Sequence, residues 1–189
     1  MENRVNGCMV QCTRRAVIAA TGRSLPDKIL DNAQLEKMVE TSDEWIITRT
    51  GIRQRRIASN GETTASLSLQ AARQALDTAG IRGEDLDLII CSTITPEMVF
   101  PSTACFIQNG LNNHQCCAFD LSAACSGFTY GMAVASNFLV SGQYQKALVI
   151  GAETLSNLVD YTDRGSCILF GDGAGAALVS GGRPRCRPA

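Results

Sequence analysis

The segment from Cys116 to Val140 constrains the fold of this chain more than any other. An apolar stretch, 116–121, has the composition of a buried strand, and a second apolar stretch, 126–140, has the length of a helix. A helix without a polar face is buried on all sides, so structure beyond the sheet has to cover it. The chain offers few elements for this after Val179. We therefore expect a layered architecture larger than these 189 residues.

Strand and helix signals alternate along the rest of the chain. The sequence predicts strands at 15–22, 54–58, 87–93, 116–121 and 146–151. It also predicts five helices. They begin at Asp31 or Asn32, after residues 41–44, at Thr63 or Thr64, at Pro101 as the N1 residue, and at Ser126. The first of these helices should turn Leu35, Met38 and Val39 inward, the third should close at Gly80, and the fourth should finish at Leu111. The alternation indicates an α/β fold with a largely parallel sheet.

Composition excludes several classes of function. Charged residues make up 19% of the chain and the formal net charge is −1, so global charge implies neither nucleic acid nor an anionic membrane as partner. No apolar run approaches the ~18 residues of a membrane span. The first residues, Met1 to Cys8, lack the apolar core of a signal peptide, so a cytoplasmic location is expected.

The nine cysteines do not form the pattern of a disulfide framework or a metal site. Their number is odd and their spacing irregular. No Cys-x-x-Cys pair occurs, and His114, in the polar turn 112–115, is the only histidine. We therefore expect no metal site, and interpret most of the cysteines as small buried hydrophobes.

Cys125 is the exception, because it stands where the predicted strand feeds the predicted helix. Backbone N–H groups at a helix N-terminus favour a thiolate, which is the form that acts as a nucleophile. The small residues at 122–124 and 126–127 leave room for a substrate carbonyl. The alternative is a buried structural cysteine, which is the commoner role.

The glycine-rich segment Gly171–Gly175 is not a dinucleotide-binding loop. Ala176 stands where the third glycine of that fingerprint belongs, and an Ala-Leu-Val run follows in place of a helix. We interpret the segment as a tight turn between β elements.

Four segments together resemble a known family: 41–52, the residues around Cys125, 162–165 and 170–178. Their order and spacing are similar to those of β-ketoacyl-(acyl carrier protein) synthase III, a thiolase-like condensing enzyme. The resemblance implies one N-terminal half of a pseudo-duplicated αβαβα architecture. It covers 15–180, with an unmatched extension at 1–14 and an unmatched basic tail at 181–189.

The resemblance also implies an activity. Members of the family start type II fatty-acid synthesis by joining an acyl-CoA primer, such as acetyl-CoA, to malonyl-acyl carrier protein with loss of carbon dioxide. They act as homodimers and need no cofactor beyond the coenzyme A thioester substrate. Cys125 matches the acyl-accepting nucleophile, and its backbone N–H matches one oxyanion-hole donor. Phe100 matches a residue that borders the acyl pocket across the dimer interface.

Four further residues match the coenzyme A site of the family. Trp45 and Arg164 match the pair that sandwiches the adenine, and an indole and a guanidinium plane both stack on a purine. Arg49 and Thr50 match residues at the nucleotide end, where a cation suits phosphate. Without the resemblance, Trp45 would be interpreted as a core aromatic residue and Arg49 as part of a solvated face.

The family's catalytic histidine and asparagine lie in the second half of its fold, for which this sequence has no counterpart. We therefore expect the full condensation to be out of reach for this polypeptide alone. Two alternatives remain open. One is another thiolase-like condensing enzyme, such as a hydroxymethylglutaryl-CoA or polyketide-type synthase, against which the segment 43–51 argues. The other is a non-catalytic fragment or interaction subunit.

Overall fold

The computed structural model describes the backbone of residues 3–5, 8–182 and 185–188, and the side chains of residues 14–182. The strands are β1 (Asn3–Val5), β2 (Cys8–Thr13), β3 (Ala16–Ser24), β4 (Ile29–Asp31), β5 (Gln54–Arg56), β6 (Leu88–Ser92), β7 (Cys117–Leu121), β8 (Lys146–Thr154), β9 (Asp172–Gly181) and β10 (Arg185–Pro188). The helices are α1 (Asn32–Leu35), α2 (Asp43–Thr50), α3 (Thr64–Ala79), α4 (Thr103–Gly110) and α5 (Gly127–Val140). The predicted alternation of strands and helices is confirmed.

Five strands form the main sheet in the order β3-β9-β8-β6-β7. Strand β6 runs parallel to β7 and β8, whereas β9 runs antiparallel to β8 and β3. The expectation of a largely parallel sheet is therefore wrong for the β3–β9 side. Strands β8 and β9 are joined by a segment without an α-helix, whereas the connection between parallel neighbours usually contains one. Smaller antiparallel sheets join β4 to β5, and β2 to β1 and β10.

Helices cover both faces of the main sheet. Ile89 and Cys91 of β6 face α3 and α4, and are buried with Leu67 and Ile107. Their neighbours in the strand point the other way, since side chains alternate across a strand, and they pack against α5. The order helix, sheet, helix is the three-layer arrangement of an α/β fold.

Helix α5 buries one face only. Gly131, Ala135 and Leu139 are buried against the sheet, whereas Phe128 and Tyr130 are exposed. This agrees with the sequence, in which few elements remain that could cover the other side of the apolar helix. The apolar outer face of α5 is uncovered among the described residues. None of the described helices has the length and apolar character of a membrane span.

A third group of buried side chains lies where α1, α2 and the segment 159–168 meet. Leu35, Ile46, Cys167 and Ile168 form its centre. Helix α1 ends at Leu35, and Met38, predicted to face inward, is exposed in the turns that follow. One turn of helix is too short to carry an inner face as far as residue 38.

Two other local predictions are wrong. Pro101 precedes Ser102, the N-cap of α4, so it does not occupy the N1 position. Gly171–Gly175 does not form a turn, because β9 begins at Asp172 and pairs with β3 and β8 from its first residues. A close approach explains the glycine only at the start of the segment: a Cβ on Gly171 would lie 3.0 Å from the Arg56 carbonyl oxygen.

Candidate functional site

Cys125 lies in a sharp turn between β7 and α5. Residues Ala124–Ser126 form a single 3-10 turn, and α5 begins at Gly127. Ala124 has φ of 45°, in the left-handed region that a residue with a Cβ adopts at a cost of roughly 1–2 kcal/mol. Strained backbone of this kind clusters at functional sites. The thiol of Cys125 is exposed at the carboxyl end of the strand.

Glycines in α5 hold the helix start close to the end of β6. A Cβ on Gly127 would lie 3.0 Å from Ser92 Cβ, and one on Gly131 would lie 3.0 Å from Val149 Cγ1. Larger residues at these positions would push the helix away from the sheet. The close approach therefore fixes where the turn presents Cys125.

Two carboxylates that sequence analysis did not single out fix the loop beside this turn. Asp120 of β7 accepts hydrogen bonds from the backbone N–H groups of Thr103 (2.7 Å) and Ala104 (2.8 Å) at the start of α4. Glu153 of β8 accepts from the Ile94 N–H at 3.0 Å and from the Thr95 hydroxyl at 2.5 Å. The available signal for Asp120 is a charged residue within an otherwise apolar strand, and for Glu153 a charged residue directly after the apolar run of β8.

Phe100 lies between these two anchors, at the tip of the loop 93–102. Its side chain is 84% exposed and that of Val99 is 96% exposed. The predicted place of Phe100 at the acyl pocket across a dimer interface stays a prediction.

Trp45, Arg49 and Arg164 lie together, as their predicted shared ligand requires. The guanidinium carbon of Arg49 lies 4.3 Å from the centroid of the Trp45 ring, and that of Arg164 lies 4.9 Å from it. Ser42 starts α2 by accepting a hydrogen bond from the Trp45 N–H at 3.1 Å. A cavity of about 280 Å³ beside α2 is lined by Trp45 and Arg49, with Ser42, Glu44 and Thr48.

Thr50 ends α2. Its hydroxyl donates to the Ile46 carbonyl at 2.7 Å and accepts from the Ile52 N–H at 3.0 Å. Gly51, with φ of 72°, then turns the chain away. The hydroxyl of Thr50 is thus used within the protein, and a ligand would have to displace one of these bonds.

The segment that carries Arg164 is held in shape by two aspartates. Asp163 accepts from the Ser166 hydroxyl at 2.6 Å and from the Gly165 N–H at 2.9 Å. Asp160 accepts from the hydroxyl and the N–H of Thr162. These hydrogen bonds favour the charged carboxylates and lower the pKa of both aspartates below its ordinary value.

Cys91 and Cys167 are buried, whereas Cys125 is exposed. Burial raises the pKa of Cys91, which lies under α3, and that of Cys167, which lies beside Arg55. His114 is exposed in the turn before β7, as predicted, at the opposite end of that strand from Cys125. Across the described residues, no three His, Cys, Asp or Glu side chains are grouped so that they could hold a metal ion.

Comparisons with known proteins agree with the resemblance in the sequence. The family model of 3-oxoacyl-[acyl-carrier-protein (ACP)] synthase III matches residues 119–187. A curated β-ketoacyl-[acyl-carrier-protein] synthase III from Natranaerobius thermophilus is 57% identical over 164 residues, which are 87% of this chain and 50% of that protein. One from Thioalkalivibrio sulfidiphilus is 56% identical over 87% of this chain and 51% of that protein.

Solved structures give the same result. The crystal structure of 3-oxoacyl-[acyl-carrier-protein] synthase III from Aquifex aeolicus matches with a TM-score of 0.86 at 53% identity, over 87% of this chain and 53% of that chain. The priming β-ketosynthase of the R1128 polyketide pathway matches with a TM-score of 0.87 at 36% identity, over 89% of this chain and 51% of that one. The predicted thiolase-like α/β fold is confirmed, and the chain spans about half the length of the relatives it matches.

Proposed function

The chain belongs to the β-ketoacyl-[acyl-carrier-protein] synthase III family, and on that premise we propose that Cys125 accepts the acyl group of a coenzyme A thioester. The exposed thiol in the strained turn between β7 and α5 is the observation that carries this proposal. In the whole protein, the acyl group then condenses with malonyl carried on acyl carrier protein. Acetyl-CoA is the proposed primer.

The first half-reaction needs only groups at the turn. The Cys125 thiolate attacks the thioester carbonyl, and the negative charge that develops on its oxygen meets the backbone N–H of Cys125, at the positive end of α5. The bond from the carbonyl carbon to the coenzyme A sulfur breaks, and the coenzyme leaves as its thiolate, which then takes a proton from solvent. The product is an acyl thioester on Cys125, and no redox change occurs.

The second half-reaction needs groups that the described residues do not bring to Cys125. Decarboxylation of the malonyl thioester gives a carbanion equivalent, which attacks the acyl carbonyl and expels the Cys125 thiolate. His114 is separated from Cys125 by the five-residue strand β7, a distance of roughly 16 Å at ~3.3 Å per residue. We therefore assign acyl acceptance to this chain and condensation to the whole protein.

Binding of the coenzyme is proposed for the cluster of Trp45, Arg49 and Arg164. A base stacked between Trp45 and Arg164 needs about 7 Å between them, twice the ~3.5 Å of an optimal carbon contact. The observed 4.9 Å is too short, so Arg164 has to move outward to admit an adenine. Arg49 remains beside the ring as a cation for phosphate.

The uncovered loop tip at Phe100 supports a proposal for the dimer. A second subunit of the whole protein would bury Val99 and Phe100, and Phe100 would then border its partner's acyl pocket. The exposure of both side chains supports this proposal.

Mass spectrometry of the chain after incubation with acetyl-CoA tests the proposed function. We expect the mass of one acetyl group on the peptide that contains Cys125, and none after Cys125→Ser. The exposed thiol of Cys117 is the internal control for non-specific thioester exchange. Equal acetylation of Cys117 and Cys125, or no acetylation of either, would overturn the proposal.

A further inference from the structure

A buried arginine outside the proposed coenzyme site connects the two parts of the chain that form it. Arg55 of β5 is 4% exposed. Its Nε donates to the Ile168 carbonyl at 2.9 Å, Nη2 donates to the same oxygen, and Nη1 donates to Asn32 Oδ1. Ile168 lies four residues after Arg164, in the same segment of turns. One side of the guanidinium is therefore hydrogen-bonded to the backbone of the segment that carries Arg164.

Asn32 continues this connection to α2. It is 2% exposed, and its Nδ2 donates to Asp43 Oδ1 at 2.7 Å and to the Ile52 carbonyl at 3.0 Å. Asp43 is the first residue of α2, and Ile52 lies just beyond its last. A single amide thus holds both ends of the helix that carries Trp45.

The energetics of this arrangement indicate more than core packing. Within the described part of the chain, Arg55 makes no ion pair, and burial lowers its pKa. An apolar residue would fill the same volume without the desolvation cost of a guanidinium. The planar guanidinium group, however, has donors on two sides. Arginine is therefore one of the few side chains that can join a carbonyl to an amide at fixed geometry.

We propose that Arg55, acting through Asn32, is a positioning residue that sets the separation of Trp45 and Arg164. The proposal rests on the proposed function only for the identity of the ligand. The link Asp43–Asn32–Arg55–Ile168 fixes α2 against the segment 160–170. Arg164 can then move to admit a base while its backbone stays in place.

The fluorescence of Trp45 tests the proposal without any ligand, because Trp45 is the only tryptophan of the chain. In Arg55→Gln we expect acrylamide to quench Trp45 about twofold more efficiently, since the wall that carries Arg164 is released. Arg56→Gln is the matched control. It removes a guanidinium that donates to the Pro26 carbonyl at 3.1 Å, from the same strand but outside the link. Its quenching should match that of the unmodified chain.

A second variant separates positioning from stability. Asn32→Asp keeps an acceptor for Arg55 and gives it a carboxylate partner, but it removes the donor to Ile52 and turns a carboxylate oxygen toward Asp43 Oδ1, which lies 2.7 Å from the replaced nitrogen. We expect increased quenching of Trp45 at temperatures well below the thermal unfolding midpoint of the variant, so that the increase is separate from global unfolding. If Arg55→Gln fails to fold, Asn32→Asp still decides the question.

Calorimetric titration with coenzyme A adds the functional measurement. Where the unmodified chain binds, Arg55→Gln and Asn32→Asp should each bind about tenfold more weakly, as for the loss of one hydrogen bond to a charged group. Arg56→Gln should bind normally. Unchanged quenching in both variants, or equal changes in Arg56→Gln, would overturn the positioning role. Failure of the unmodified chain to bind coenzyme A would count against the proposed function alone.

Discussion

The guanidinium carbon of Arg164 lies 4.9 Å from the centroid of the Trp45 ring, although the two residues come from distant parts of the sequence. Arg164 also donates to the Glu40 carbonyl at 3.4 Å, which holds it next to α2. The contact is a cation–π pair. An adenine inserted between them would therefore replace Arg164 as a stacking partner of Trp45, and its own second face would then be covered by Arg164.

Removing either stacking partner should weaken coenzyme A binding. We expect Trp45→Ala and Arg164→Ala each to lose about 1–2 kcal/mol of binding free energy, roughly tenfold in Kd, in a calorimetric titration. Arg53→Ala is the charge-matched control, since Arg53 is exposed and lies beyond the end of α2. An affinity that falls equally in Arg53→Ala would indicate general attraction of phosphate to positive charge.

Local signals in the sequence were sufficient to predict most of these elements. Thr63 caps α3 and Gly80 ends it, as predicted from residue type alone. The strand, turn and helix around Cys125 were likewise predicted from apolar length and small residues. Such features depend on neighbours within a few positions, which a sequence displays directly.

Features that depend on distant partners could not be predicted. Arg55 and Ile168 are 113 residues apart, and nothing near Arg55 in the sequence marks it as buried. The pairing of β9 depends on strands far away in the sequence, and the glycines at 171–175 by themselves indicate a turn. The positive φ of Ala124 contradicts the preference of alanine, so residue type does not indicate it.

Cys125 should react with iodoacetamide faster than any other described cysteine. It is exposed at a helix N-terminus, whereas Cys91 and Cys167 are buried and have raised pKa values. Peptide mapping after limiting alkylation of the folded protein gives the order of labelling. Cys117 is the matched comparison, because it is exposed but lies at the start of β7. Labelling of Cys117 at the rate of Cys125 would contradict a special reactivity of the turn.

Substitution of Gly22 should destabilise the fold through the contact between β3 and α3. A Cβ there would lie 2.1 Å from the Ala71 carbonyl oxygen and 2.6 Å from the Ala75 nitrogen, both backbone atoms. We expect Gly22→Ala to lower the free energy of unfolding by about 3 kcal/mol or more, measured by urea titration.

Gly175→Ala is the control for this prediction. Gly175 lies opposite Arg23 in the pairing of β3 with β9, one residue from Gly22, and a Cβ there would meet nothing within 4 Å. The free energy of unfolding should stay the same or rise by up to about 1 kcal/mol. Equal losses in both variants would show that α3 does not approach β3 as closely as the structure indicates.

Acidification should loosen the segment that carries Arg164. The hydrogen bonds from Ser166 and Gly165 lower the pKa of Asp163. The stability that the ionised carboxylate gives to the segment is therefore fully present above the unfolded-state pKa of about 3.9, and it is lost as the pH falls through the lower folded-state pKa. The Trp45 emission should therefore stay constant from neutral pH to about pH 5 and change below about pH 4.

Asp163→Asn isolates this effect from the titration of other carboxylates. The amide cannot titrate, so the difference in Trp45 emission between the variant and the unmodified chain should be present at neutral pH and shrink in acid. A constant difference across the whole range would contradict the role of Asp163 in holding the segment.

The uncovered side of the molecule should make the chain self-associate. Phe128 and Tyr130 on α5, with Ile18 on β3, are 40–55% exposed, and Ile18 and Phe128 line an apolar cavity of about 480 Å³. Burial of apolar surface stabilises an association by about 25 cal/mol per Å². We expect the sedimentation coefficient to rise with protein concentration and the dye ANS to become fluorescent on binding.

Single substitutions locate the associating surface. Ile18→Thr should reduce both the association and the ANS signal, because threonine keeps the branched shape that suits a strand but adds a hydroxyl to the apolar face. Ile29→Thr is the matched control: Ile29 is 40% exposed on β4, outside this cavity. A chain that stays monomeric at high concentration without binding ANS would show that the outer face of α5 is covered in solution.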